Sequence, residues 1–181
     1  MPDQGKTAES GSCCGPTCSN PNPRNPSREP FGEFELRPAG EVDREAVSTL
    51  LSASKLAALD DASQFGPQYA VAYDTTGHLI GVAGVELYGT NALLRSVAVT
   101  SSARFQGLGR QLTQDRLRWA ANHGVFAVFL LTTDASSYWT RHGFSEISRE
   151  EAPALIRSTT QWSGGCSASA VAMKRQVANA R

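Results

Sequence analysis

The stretch that most limits how this chain can fold is Leu93 to Arg110, which reads LLRSVAVTSSARFQGLGR. It begins as an apolar run from Leu93 to Val99, interrupted only by Arg95 and Ser96, and breaks at Thr100 to Ala103. Arg104-Phe105-Gln106-Gly107-Leu108-Gly109 then leads into a helical pattern. A buried strand therefore delivers the chain into a Gly-rich turn at a helix N-terminus. The first N–H groups of a helix lack intrahelical acceptors, and the helix dipole favours an anion beside them. Gly107 and Gly109 carry no Cβ, so a bulky phosphate can approach the main chain. Spacing alone leaves two readings open: a pyrophosphate cradle, or an ordinary glycine-containing turn between strand and helix.

The segments on either side read as alternating strands and helices. Phe34 to Arg37 alternates like a short strand that stops at Pro38. Val42, Ala46, Val47, Leu50, Leu51, Leu56 and Leu59 describe one helix, or two with a break near Ser52 to Ser54. Tyr69 to Asp74 and His78 to Tyr88 read as a hairpin about the turn Thr75-Thr76-Gly77, with Gly81 and Gly84 signalling a bulge or a close approach. After Gly109 a helix carries Leu112, Thr113, Leu117 and Ala120 on one face and ends at Asn122-His123-Gly124. Arg116 falls inside that apolar stripe without a sequence-level reason. Val125 to Leu131 has the unbroken apolar character of a central strand. Asp134 is placed to cap a short helix running to His142, Glu150 to Gln161 is a further helical segment, and Cys166 to Lys174 reads as a last strand. This order predicts an α/β domain with one mixed sheet and helices on both faces.

Composition sets the outer limits. The chain has 181 residues, enough for one domain with a real core, and formal net charge zero with 19% charged residues. That balance gives no electrostatic case for nucleic acid or an anionic membrane. No apolar run reaches the ~18 residues of a membrane span, and the first thirty residues lack the apolar core of a signal peptide. A cytoplasmic protein with reduced thiols is expected. Met1 to Pro30 contains no Val, Ile, Leu or aromatic residue, and such a segment is expected to be disordered. It holds Cys13, Cys14 and Cys18, three of the four cysteines in the chain. Three thiolates on a flexible segment suit one thiophilic ion such as trivalent arsenic, Cu(I) or Zn(II); the alternative is a tail with incidental, redox-labile cysteines.

The order of elements and the motif at Arg104 together resemble the GNAT superfamily of acetyl-CoA-dependent N-acetyltransferases, over Phe34 to about Arg175. The family pattern, Gln or Arg followed by x-x-Gly-x-Gly or Ala, is met by Arg104, Gly107 and Gly109. The strand before it, the strand Val125 to Leu131, and Tyr138-Trp139-x-x-x-Gly143-Phe144 also fit. A closer likeness is to GNAT proteins found with arsenic-resistance genes. It rests on Glu86-Leu-Tyr-Gly, Leu93-Leu-Arg-Ser-Val-Ala-Val, Leu130-Leu-Thr-Thr, Ala152-Pro-Ala-Leu-Ile-Arg-Ser-Thr-Thr and Cys166-Ser-Ala-Ser-Ala. The resemblance implies a single GNAT-like domain over 31–181, a mostly antiparallel sheet, acetyl-CoA as cosubstrate and no required metal. It implies that main-chain groups of Val97 and Val99 pair with the pantetheine arm and that an N–H near Val97 or Ala98 stabilises the oxyanion. The N–H groups of Phe105, Gln106, Gly107, Leu108, Gly109 and Arg110 would hold the pyrophosphate, with the Arg104 and Arg110 side chains adding charge.

The chain departs from the family at the general acid. The usual Tyr lies four residues before the Gly of the Gly-Phe pair, a position held here by Trp139. Tyr138 is one residue, or about 100° of helix, away. An indole N–H is a donor without a useful pKa, which leaves Tyr138 as the candidate acid, or else as a packed aromatic. Glu86, flanked by Val85 and Leu87, is the candidate base for the amine proton, directly or through water; a solvated strand-end charge is the alternative. Arg95 shares the face of Val97 and is expected to bind a substrate carboxylate, with Arg157 a second anion contact. His78, His123 and His142 read as structural, and Cys166 as a small core residue. Three functions stand: acetylation of an amino-acid-like amine, including an arsenical amino acid; acetylation of an ordinary amino acid such as glutamate; or a thiol-based arsenite-binding module on a GNAT scaffold. A homodimer through the last strands is a further expectation.

Overall fold

Alternation along β2 (Tyr69–Asp74) decides which helix covers which face of the sheet. Tyr69 and Val71 pack with Val47, Leu50 and Leu51 of α1 (Arg44–Ala53). Ala70 and Ala72 point the other way, to Leu108 and Leu112 of α2 (Leu108–Asn122). The structure, a computed structural model, describes residues 33–59, 65–165, 167 and 169–177. The remaining strands are β1 (Phe34–Pro38), β3 (Leu79–Tyr88), β4 (Asn91–Val99), β5 (Ala127–Thr132), β6 (Ser145–Ile147) and β7 (Val171–Gln176). The short helices are α3 (Ser136–Arg141) and α4 (Ala154–Arg157). The seven strands lie in the order β1-β2-β3-β4-β5-β7-β6. Only β4 and β5 run parallel among the pairs; the others are antiparallel.

Small residues let the layers close. A Cβ on Gly81 would stand 2.8 Å from Leu112 Cδ1 and 3.1 Å from Leu108 Cδ2, so α2 rests directly on the β3 backbone. A Cβ on Gly84 would fall 2.3 Å from the Tyr69 ring, which lies across the position opposite it in the ladder. Both glycines thus mark a close approach. A bulge is present as well: Val82 pairs with Ala98 and Gly84 with Arg95, so Ser96 and Val97 together oppose Ala83. Arg116 also has its explanation. It is buried at the α2–sheet contact, donates from Nη1 to the Pro67 carbonyl at 2.6 Å, and holds Asp115 at 2.6 Å through Nη2.

Several expectations are corrected. The segment after β1 folds as a single turn at Glu41–Asp43 and α1, which ends at Ala53, and Val42 is exposed. Asp134 caps nothing: α3 starts after Ala135, whose N–H donates to the Thr132 hydroxyl at 3.2 Å. Glu150 to Gln161 is broken by Pro153 into short turns around the four-residue α4. A strand, β6, forms where none is expected, and the last strand starts at Val171. The expected tail with Cys13, Cys14 and Cys18, and the reading of Cys166, lie outside the described residues. No helix among those residues is long and apolar enough to cross a membrane.

The entrance to α1 is anchored by one carboxylate. Asp43 accepts from Arg37 Nη1 and Nη2 of β1 at 2.8 and 2.7 Å, from the Gly40 N–H at 2.7 Å, and from the Tyr73 hydroxyl of β2 at 2.7 Å. The Arg37 hydrogen bond is the largest cause that lowers its pKa to about 2. An unfolded Asp titrates near 4, so between these values the unfolded chain binds more protons and stability falls as pH falls. Urea titrations should show a loss of about 2 kcal/mol between roughly pH 4 and pH 2, absent in Asp43→Asn. Equal pH dependence in the two proteins would remove Asp43 from the anchor.

Candidate functional site

The β4–β5 ladder covers only Asn91–Leu93 against Ala127–Phe129. Beyond Leu93 the two strands part, and the β4 edge from Leu94 to Val99 faces a gap instead of a neighbour. Two clefts open along this edge. One, about 530 Å³, is lined by Val97, Val99, Arg104, Phe105, Gly107, Gly109, Arg110 and Tyr138 among others. The second, about 340 Å³, is lined by Lys55, Arg95, Ser96, Leu130, Thr132 and Gln161 among others. Leu56, Val97, Ala135 and Trp139 border both, so the clefts meet at the bulge of β4.

The larger cleft ends at the glycine turn. Gly107 has φ +88° and open space where a Cβ would be. The first bond into α2 runs from the Gln111 N–H to the Gly107 carbonyl, which leaves the N–H groups of Leu108, Gly109 and Arg110 without intrahelical acceptors. Arg104 holds the turn to the strand end by donating from Nε to the Val99 carbonyl at 3.1 Å, and Gln106 donates to the Ser102 carbonyl at 3.0 Å. Phe105 is 85% exposed, at φ +64°. Leu108 and Ala98 send their side chains into the core, so only their main-chain groups are available to a ligand. No acidic residue lines this cleft among the described residues. The free N–H donors, the helix dipole and two arginines give this end of the cleft the chemistry that suits an anion.

Glu86 and Arg95, read separately in the sequence, are brought together. Arg95 Nη1 donates to Glu86 Oε1 at 2.8 Å, and both side chains are nearly buried. The Tyr88 hydroxyl donates to Glu86 Oε2 at 2.9 Å, and Arg95 Nη2 donates to the Ala58 carbonyl at 2.8 Å. Arg95 therefore lines the smaller cleft with its charge already matched by Glu86. Arg157 is exposed on α4 and lines neither cleft.

On α3, Trp139 separates the clefts while Tyr138 reaches the glycine turn. A Cβ on Gly109 would lie 3.2 Å from the Tyr138 hydroxyl. That hydroxyl is buried without a well-directed hydrogen bond, the neighbouring Thr113 hydroxyl being turned to the Gly109 carbonyl at 2.8 Å. Burial is the largest cause that raises the Tyr138 pKa above the usual phenol, offset in part by Thr113 and Arg141. The ring lies tilted by 31° against His142 with centroids 4.1 Å apart, and His142 Nδ1 contacts the Tyr138 carbonyl at 2.8 Å. Lys55, Ser96 and Gln161, which line the smaller cleft, stand in no sequence pattern that singles them out.

Residues 66–146 match the model of the GNAT acetyltransferase domain. The fold is the GNAT fold. An uncharacterised N-acetyltransferase of Chlorobaculum tepidum is 34% identical over 84 residues, covering 46% of this chain and 54% of that protein. The chain thus spans about half the length of this curated relative. N-acetylglutamate synthase from Neisseria gonorrhoeae, complexed with coenzyme A and N-acetyl-glutamate, superposes with TM-score 0.69 at 18% identity over 81% of this chain and 35% of that one. Rv2747 from Mycobacterium tuberculosis, in complex with CoA and NLQ, gives 0.66 at 20% identity over 78% and 98%. The parted strands, the bulge and the glycine turn border the two adjoining clefts.

The buried pair makes a prediction about Arg95. Arg95→Leu leaves Glu86 buried without its cation and should cost about 3–5 kcal/mol in chemical denaturation. Replacing both residues with Met should recover most of that loss. A single variant as stable as the wild type would show that the pair contributes nothing to the fold.

Proposed function

We propose that the protein is an acetyl-CoA-dependent N-acetyltransferase acting on the amine of a small, amino-acid-like acceptor. One observation carries the reading: a polyanion cleft with an open strand edge and a second, polar cleft meet at the β4 bulge, beside Val97. The coenzyme A in the related gonococcal structure and its N-acetyl-glutamate support the cosubstrate and the acceptor class. The N–H groups of Phe105 to Arg110 hold the pyrophosphate, and the β4 edge at Val97 and Val99 holds the pantetheine arm. The amine nitrogen attacks the thioester carbonyl, an N–C bond forms, and the C–S bond breaks with the electron pair leaving on sulfur. A main-chain N–H near Val97 or Ala98 stabilises the oxyanion. Glu86, which lines neither cleft and is bonded through both oxygens, takes up the amine proton through water, and Tyr138, kept protonated by burial, is the donor available to the departing thiolate.

The words shared with arsenic-resistance GNAT proteins favour an arsenical amino acid as acceptor; glutamate is the second candidate. The cluster Cys13, Cys14 and Cys18 favours an added role in holding arsenite. We place the reaction in the cytoplasm.

Thiol release from acetyl-CoA with a panel of amino acids and simple amines tests the activity. Acceptor-dependent release is expected, and none with any amine would refute it. Glu86→Gln should lower kcat about 10²-fold or more and Tyr138→Phe about tenfold or more, each altering the pH profile. An unchanged profile assigns the residue to packing. Removing Met1 to Pro30 should abolish arsenite binding and leave turnover intact; turnover lost with the tail would make the cysteines part of substrate handling.

A further inference from the structure

The smaller cleft contains polar groups that the fold does not use. Ser96 and Gln161 are each 8% exposed and line it. Ser96 Oγ and Gln161 Oε1 are fully covered and have no hydrogen-bond partner among the described residues. Leaving such atoms unmatched is costly, and packing alone would favour apolar side chains at both positions. Lys55 lines the same cleft. It follows α1 in a left-handed cap, with φ +56°, where its N–H bonds the Ser52 carbonyl and the next N–H bonds that of Leu51, both at 3.0 Å. Glycine is the usual residue in that cap, and lysine there adds a cation to the cleft wall. Arg95 cannot be that cation on its own, because Glu86 already neutralises it.

We infer that Lys55, Ser96 and Gln161 form the acceptor subsite, and that its ligand is the zwitterionic end of an α-amino acid. This rests on the acetyltransferase reading and assigns the acceptor's contacts within it. Gln161 Oε1, uncovered by a side-chain rotation as the ligand enters, accepts from the ammonium, which must lose a proton before its nitrogen can attack. Lys55 Nζ donates to the carboxylate, and Ser96 Oγ does so once side-chain rotation uncovers it. The subsite selects against amines that lack the carboxylate, because they leave Lys55 and Ser96 unmatched inside the cleft.

The test uses the full chain with acetyl-CoA and three acceptor sets: the common L-α-amino acids with arsenical analogues, their carboxamides, and simple alkylamines. The wild type should prefer acids over carboxamides. Gln161→Leu should raise the acceptor KM about tenfold or more while leaving the KM for acetyl-CoA unchanged, and Gln161→Glu should restore part of it. Lys55→Met and Ser96→Ala should reduce the preference for acids over carboxamides. Tm is read in parallel: Gln161→Leu removes an unmatched oxygen, so a wild-type or higher Tm with a raised acceptor KM supports the subsite. A higher Tm with unchanged acceptor KM overturns it, as does a wild type that prefers alkylamines. No turnover of any acceptor refutes the acetyltransferase reading itself.

Discussion

The parting of β4 from β5 after three residue pairs is the constraint on which the rest depends. Two parallel strands buried between helices ordinarily pair along their whole length, since an open edge in the core wastes donors and acceptors. Here β7 pairs β5 from Ala127 to Thr132 and β3 pairs β4 beyond the bulge, so each strand is held from its outer side while the inner sides diverge. The gap is therefore enforced by the flanking strands. It leaves the β4 edge open to the clefts, and the strand end leads into the glycine turn at one end of the larger cleft.

The buried pair of Glu86 and Arg95 stands behind that gap. Two charges out of water cost more than their attraction returns unless further hydrogen bonds complete them, which Tyr88 and the Ala58 carbonyl do. Apolar residues could fill the space as well, so stability does not explain the pair. Its effect is to hold the Arg95 side chain in the wall of the smaller cleft, with Glu86 behind it. Arg95 also ties β4 to the segment after α1, the segment that carries Lys55 and Leu56 to the cleft. Asp43 fixes the other end of the same helix to β1 and β2. Asp43 thus anchors the start of α1, while Arg95, paired with Glu86, holds the segment after it through the Ala58 carbonyl.

Much of this was legible in the residues, because it follows from local pattern. Alternation in Tyr69 to Asp74, the apolar run into Leu131 and the Gly107-Leu-Gly109 turn are each set within a few residues. The three-residue β6 was not, since its pairing with β7 is decided by a strand nearly thirty residues away. Arg95 shows the limit at the site. An arginine in an apolar run announces a buried anion, but the sequence cannot say whether that anion is a ligand or Glu86, which pairs across the neighbouring strand. Gln161 gave no signal at all: its meaning comes from the broken segment after Pro153, which brings it to a cleft built by β4 and β5.

Backbone strain draws the same boundary. Among the described residues, the non-glycine positions with left-handed φ are Lys55, Ser96 and Phe105. Lys55 and Ser96 line the smaller cleft and Phe105 the larger. Each such conformation costs about 1–3 kcal/mol, which glycine would avoid. Three separate positions carry that cost around one pair of clefts, whereas turns elsewhere with positive φ use glycine, as at Gly77, Gly89, Gly124 and Gly143. What glycine cannot supply is a side chain. Lysine offers a cation, serine a hydroxyl and phenylalanine a ring, and each residue stands in the lining of one of the two clefts.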